Sequence, residues 1–171
     1  MRYDYKQLYQ KNAAFYESHP IAKKLLLFSN TALTGIFFLA YGAFLVYAYF
    51  QGYTLPDFLK IVEFPVLCLF LVSVLRSAID RERPYSEKGA NIEPILQKSG
   101  KQNKSFPSRH TACAFVISTV ILAYMTGAGI GLLLLSCVLA YVRFALGLHY
   151  PSDLIGGAIV GFVSGVLTFI F

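Results

Sequence analysis

Apolar residues run through this chain in long blocks that polar residues interrupt at only a few places. From Leu25 to Phe50 there is no charged residue, and a helix of that length spans the roughly 30 Å hydrocarbon layer of a bilayer. Tyr41, Phe44, Tyr47, Tyr49 and Phe50 crowd its second half, as an aromatic belt at a membrane surface does. The short turn 51–57 leads to a second block, 58–79, which carries Glu63 and a helix-kinking Pro65. Glu63 is read near the end of its span, where snorkelling or capping suits it better than a buried role. Three further blocks follow at about 111–125, 129–146 and 152–171, joined by the turns 126–128 and 147–151. The last block spaces Gly157, Gly161 and Gly165 four apart, a stripe that lets a neighbouring helix approach closely. The predicted fold class is all-α: a multi-span transmembrane helical bundle of about five spans, the third marginal at about fifteen residues.

Two polar segments frame these blocks. Residues 1–24 mix Tyr3, Tyr5, Leu8, Tyr9 and Phe15 with Lys6, Lys11, Lys23 and Lys24. That pattern suits either an N-terminal amphipathic surface helix or a frayed polar tail. No early apolar stretch marks a cleavable signal peptide. The segment 80–107 opens Asp80-Arg81-Glu82-Arg83-Pro84 and continues with Lys88, Lys98, Lys101 and Lys104. With five spans, the N-terminus, this loop and the turn 147–151 share one membrane face. Of the fifteen Lys and Arg, Lys60 alone falls near the opposite face. So lopsided a field reflects either cytoplasmic orientation by the positive-inside rule or an anionic substrate on that face.

Composition agrees with the blocks. The chain of 171 residues is 56% hydrophobic and 14% charged, where soluble domains carry about 25% charged residues. So short a chain cannot hide that much apolar surface in a water-soluble core. The whole of 1–171 therefore reads as a single membrane domain. Cys68, Cys113 and Cys137 all lie within apolar blocks, without CxxC spacing, and read as small packing residues.

Three clusters carry candidate chemistry, all on the charged face. In Arg76-x6-Arg83-Pro84, seven residues turn a helix through about 700°, so both guanidiniums lie on nearly one stripe, about 10 Å apart. Two forked donors suit a phosphate; basic flanking of a span is the plain alternative. In Ser105-Phe106-Pro107-Ser108-Arg109-His110, proline stands beside a helix start whose free N–H groups attract anions. Ser108 can donate a hydroxyl there and His110 a proton. In Arg143-x5-His149-x3-Asp153, Gly147 lets the chain break and Pro151 opens the last span. Asp153 is near enough to bond one imidazole nitrogen and leave the other free to attack, or else it only caps its helix. Two histidines, a paired carboxylate, several arginines and a helix N-terminus on one face are what phosphoryl transfer needs.

These motifs, in this order, resemble those of the type 2 phosphatidic acid phosphatase (PAP2) superfamily: Lys-x6-Arg-Pro, Pro-Ser-Gly-His and Ser-Arg-x5-His-x3-Asp. They fall here at Arg76–Pro84, Pro107–His110 and Val142–Asp153. The resemblance implies a metal-independent, cofactor-free membrane lipid phosphatase. His149 would be the covalent nucleophile, Asp153 its orienting partner, and His110 the acid and then the base. Arg76, Arg83, Ser108, Arg109 and Arg143, with backbone amides near Arg109, would bind the phosphate. Implied substrates are undecaprenyl diphosphate, favoured here, phosphatidylglycerol phosphate, phosphatidic acid and lipid A phosphates. The implied setting is the bilayer of the plasma membrane, with no nucleic-acid partner. The family places the pocket on the outer face, while the count of basic residues argues for the inner one.

Three positions depart from the pattern. Arg76 stands for Lys, Val142 for Ser and Arg109 for Gly. Arg109 either reaches a second phosphate or points outward to headgroups. Two other functions compete with this one: a vanadate-dependent haloperoxidase, typically larger and soluble, and a non-enzymatic anion or lipid-phosphate transporter. Against a transporter, the charges cluster at one mouth and do not continue across the spans.

Overall fold

The computed structural model describes residues 2–96 and 102–171, with side chains from Tyr5 onward. Lys98 and Lys101 of the polar loop, and the side chain of Tyr3, lie outside the described residues. Six helices follow in chain order: α1 (Arg2–Ser18), α2 (Pro20–Phe50), α3 (Leu55–Ile79), α4 (Arg109–Tyr124), α5 (Thr126–Ala145) and α6 (Pro151–Ile170). The predicted blocks are thus helices, with boundaries shifted by a few residues. Four of them, α2, α3, α5 and α6, are long and apolar enough to cross a membrane, and α4 is shorter. Their outer surfaces expose Phe38, Leu39, Phe70, Leu134 and Ile159, among others. A continuous apolar exterior of this kind fits a lipid solvent and not water.

The short α4 stands at the centre. Its residues from Val116 to Ile121 are all buried, because α3, α5, α6 and part of α2 surround it. Sixteen residues reach about 24 Å, less than the hydrocarbon layer; a helix wrapped by others need not reach both surfaces.

Glycines on α6 allow the closest of these contacts. A Cβ added to Gly161 would meet the Ala112 carbonyl oxygen at 2.3 Å, and one on Gly165 would meet the Thr119 side chain at 2.5 Å. Gly157 lies equally close to Ser108 O, at 2.6 Å. The stripe read from the sequence is therefore the seam between α4 and α6. Ser118 and Ser136 hydroxyls join α4 to α5 at 2.9 Å, satisfying each other where water cannot.

Pro65 lies inside α3, which continues through it to Ile79. Glu63 is exposed on the outer surface of that helix, two turns beyond its start and not at its end. Residues 2–18 form a helix, and the frayed tail is not observed. Leu8 and Phe15 of this helix are both exposed. Tyr5 and Tyr9 turn inward instead and pack with Ala90, Ile92 and Tyr150. Tyr9 Oη donates to Glu93 O at 3.1 Å and accepts from Ile95 N at 3.0 Å, tying the 80–107 loop to α1. Asn12 Nδ2 donates to Ala145 O at the end of α5. The N-terminus, the polar loop and the 147–151 turn thus meet at one face, as five crossings require.

Candidate active site

His149 sits in the break between α5 and α6. Gly147 makes that break, at φ +77°, with Tyr9 packed where a side chain would project; glycine alone takes this conformation without penalty. The imidazole is buried. Its Nδ1 lies 3.6 Å from Asp153 Oδ2 and 3.4 Å from Ser105 Oγ. Burial foremost holds the ring well below its ordinary value, to about 4; Arg83 and Arg143 add to this and Asp153 opposes it. The ring is therefore neutral at neutral pH.

Asp153, fully buried in the first turn of α6, accepts from three donors and lies beside His149. Oδ2 faces the Ser105 hydroxyl at 2.5 Å, the Tyr150 N–H at 2.9 Å and His149. Oδ1 accepts from Arg81 Nη1 at 2.8 Å. The capping reading and the histidine-partner reading of Asp153 hold together, since one oxygen serves both. Arg81 also donates to Ser152 Oγ at 2.7 Å and lies 4.4 Å above the Tyr150 ring. From the other side, Tyr5 Oη donates to His149 O at 3.5 Å. Burial pushes the Tyr5 phenol up, so it stays a donor.

The arginines are anchored by backbone carbonyls. Arg76 Nη1 donates to Pro107 O at 2.9 Å, and Arg83 Nη1 to Leu148 O at 3.3 Å. Arg143, buried at the end of α5, donates through Nη2 to Thr34 Oγ1 at 3.3 Å. Among the described residues its Nε has no partner. Each guanidinium carries five N–H donors, so these contacts orient the forks and leave other donors for an anion. Ser108 is buried as the residue before α4, its Oγ accepting from Thr111 Oγ1 and its N–H bonded to Asp153 O.

Arg76, Arg83, Arg109, His110 and His149 line one pocket of about 390 Å³, together with Ser73, Ser77, Asn103 and Lys104. Among the described residues no acidic one lines it. A second, largely apolar cavity of about 280 Å³ adjoins it between α2 and α3, floored by α4. Ser73, Arg109 and His110 line both. Exposed Phe38 and Leu69 bring the second cavity to the lipid-facing surface. Arg109 is exposed yet turned along this wall, with Nη2 3.5 Å from Ser73 Oγ.

The structure therefore brings Arg76, Arg83, Arg109, His110 and His149 to one pocket. Asp153 lies behind His149 and Ser108 under the start of α4, while Arg143 is buried in the last turn of α5 and is not among the residues lining the pocket. The sequence reading missed Ser105, Arg81 and Thr34 as partners. Ser105 and Arg81 each lay inside a motif segment; nothing local marked Thr34.

The fold is thus a bundle wrapped around a short central helix, with a histidine–carboxylate pair beneath arginines at one mouth. The sequence profile of the PAP2 superfamily matches residues 57–171, and the chain belongs to that family as an integral membrane protein. Over 99 residues it is 33% identical to the lipid A 4'-phosphatase of Bacteroides thetaiotaomicron, covering 56% of this chain and 44% of that protein. Over 67 residues it is 36% identical to undecaprenyl-diphosphatase BcrC of Bacillus subtilis, covering 39% and 35%. The chain thus spans about half, or less, of the length of the curated relatives it matches. The crystal structure of Aquifex aeolicus LpxE superposes with a TM-score of 0.73 at 20% identity, covering 96% of this chain and 94% of that one. A transmembrane PAP2-type phosphatidylglycerolphosphate phosphatase from Bacillus subtilis does so at 0.59, also with 20% identity, covering 99% and 94%. Both share the fold.

Proposed function

We propose that the protein is a lipid phosphatase of the plasma membrane, hydrolysing a phosphomonoester or diphosphate of a lipid through a phosphohistidine intermediate. One observation carries this reading. The buried His149 ring faces Asp153 and Ser105 through Nδ1 and an acid-free, arginine-lined pocket on its other side.

With Nδ1 engaged, Nε2 is the atom for phosphorus. A neutral imidazole is the nucleophilic form, and burial supplies it. Attack forms the N–P bond and breaks the P–O bond to the lipid. The departing oxygen keeps the electron pair and takes a proton from His110. Water, deprotonated by His110, then attacks phosphorus, releases inorganic phosphate and restores His149. Asp153 stabilises the positive ring of the intermediate. Arg76, Arg83 and Arg143, with Ser108 and the first N–H groups of α4, hold the charge on the equatorial oxygens. A buried unpaired donor such as Arg143 Nε costs about 1–3 kcal/mol, which a phosphate oxygen would offset.

The apolar cavity beside the pocket supports a lipid substrate, because a chain lying there keeps its phosphate at His149 and its tail in the bilayer. The names of the two relatives described above agree, one a lipid A 4'-phosphatase and the other an undecaprenyl-diphosphatase. The test is phosphate release by purified protein from a panel of lipid phosphates in detergent, with and without EDTA, beside His149→Ala. Release that resists EDTA and vanishes in the variant is expected. Substantial turnover by His149→Ala would sink the covalent route.

A further inference from the structure

The pocket holds more positive charge than one phosphate calls for. Arg76, Arg83, Lys104 and Arg109 line it without any carboxylate, and buried Arg143 adds a fifth cation nearby. One phosphate group carries about two negative charges. The cations divide into two sets. Arg76 and Arg83 are anchored at Pro107 and Leu148, beside the start of α4 and the His149 turn. Lys104 and Arg109 reach instead toward α3. Lys104 Nζ donates to Ser77 Oγ at 3.2 Å and Arg109 Nη2 to Ser73 Oγ at 3.5 Å.

Ser73 and Ser77 stand one helical turn apart, so these two cations line the same wall. Arg109 and Ser73 border the apolar cavity as well. Arg109 therefore lies at the neck between the polar pocket and the apolar cavity, and Lys104 lies on the polar-pocket side of the same wall. Lys104 is held there at φ +60°, a left-handed conformation that lysine rarely adopts.

We infer that Lys104 and Arg109 form a second anion seat, which holds the inner phosphate of a lipid diphosphate while the outer phosphate reacts at His149. The inference rests on the phosphatase reading and narrows its substrate class. Attack by His149 Nε2 on the outer phosphorus breaks that atom's bond to the bridging oxygen. The bridging oxygen keeps the electron pair, accepts the His110 proton and leaves as part of a lipid monophosphate. Lys104 and Arg109 stabilise the charge of that leaving group. Water then releases the outer group as inorganic phosphate. A phosphomonoester has nothing to place in the second seat, and its leaving oxygen is bonded to carbon.

The experiment compares farnesyl diphosphate with farnesyl phosphate, two substrates sharing one chain, on the full-length protein in detergent. The variants are Arg109→Gly, Lys104→Gln and the charge-keeping Arg109→Lys. Thermal unfolding of each confirms that it is folded. The ratio of kcat/KM for diphosphate over monophosphate is expected to fall about tenfold in each neutralised variant and to recover partly in Arg109→Lys. Equal losses on both substrates, or an unchanged ratio, overturn the seat.

Calorimetric binding of methylenediphosphonate and of inorganic phosphate, to wild type and Arg109→Gly, gives a readout independent of turnover. The diphosphonate is expected to bind wild type more tightly than phosphate, with that advantage shrinking about tenfold in the variant. Wild type that hydrolyses neither lipid while keeping this binding difference would defeat the phosphatase reading and leave the seat. Hydrolysis of both lipids with no binding difference would do the reverse.

Discussion

Ser105 Oγ donates to Asp153 Oδ2 across 2.5 Å, and the same hydroxyl lies 3.4 Å from His149 Nδ1. Loop, helix and turn thereby close a triangle behind the histidine. The loop holds the carboxylate from one side and the Tyr150 N–H holds it from the other. Hydrogen bonds that orient a reacting group are worth about 10–100-fold where such partners have been removed. Ser105→Ala is therefore expected to lower kcat by about that factor, with a much smaller change in KM, and Ser105→Thr to recover part of it. Steady-state phosphate release measures both, and a wild-type kcat in Ser105→Ala would refute the role.

Arg81 holds the other oxygen of the same carboxylate while stacking on Tyr150. A lysine could supply charge there but not the planar stack on Tyr150. Arg81→Lys and Arg81→Ala are both expected to lose activity, by about tenfold or more, with lysine the milder. Indistinguishable activities of Arg81→Ala and wild type would show that Asp153 needs no such anchor.

Burial sets the protonation of His149. Its free-chain value is 6.5 and its folded value about 4. Above pH 6.5 both states are neutral and the ring contributes no pH dependence. Between 6.5 and 4 the unfolded chain gains a proton that the folded chain refuses, so stability falls as pH drops across this window. Below 4 both are protonated and the loss is complete. Proton NMR of histidine-labelled protein should show one ring titrating near 4, and that signal should be missing from His149→Gln. A His149 ring titrating at or above 6.5 would show that the pocket does not bury it.

Gly161 sets the distance between α4 and α6. Gly161→Val would drive a side chain into Ala112 O, 2.3 Å from the first added atom, at a cost of about 1–3 kcal/mol. It is expected to lower the melting temperature in detergent. Activity should fall with it, because α4 carries His110 and α6 carries Asp153. Gly35→Ala and Gly131→Ala, where nothing lies within 4 Å, are the controls and should melt like wild type. Equal melting of Gly161→Val would mean the seam is looser than its contacts show.

The five apolar helices and their order were legible without any structure, whereas α1 stood open between a surface helix and a tail. Whether a segment can enter a bilayer depends on its own length and polarity, both local properties. The α6 glycine stripe was legible for the same reason, although its partner was not. In the site, His149 and Asp153 stand four residues apart across one turn, so their pairing could be read from spacing. Arg76 and Arg83 do share the pocket, but not by helical period: α3 ends at Ile79, Asp80 is left-handed, and Arg83 comes from the loop beyond the helix.

What tertiary structure decided is everything joined across the bundle. Ser105 meets Asp153 over 48 residues, Arg81 meets it over 72, and Arg143 reaches Thr34 over 109. No periodicity encodes such distances. Folding also decided which face of α1 turns inward, choosing Tyr5 and Tyr9 over Leu8 and Phe15. Leu8 and Phe15 can meet lipid as well as protein, whereas Tyr9 gains hydrogen bonds from the loop that only the assembled fold brings near. The apolar segments dictate that helices form and cross; buried hydrogen bonds and glycine contacts dictate how they assemble around His149.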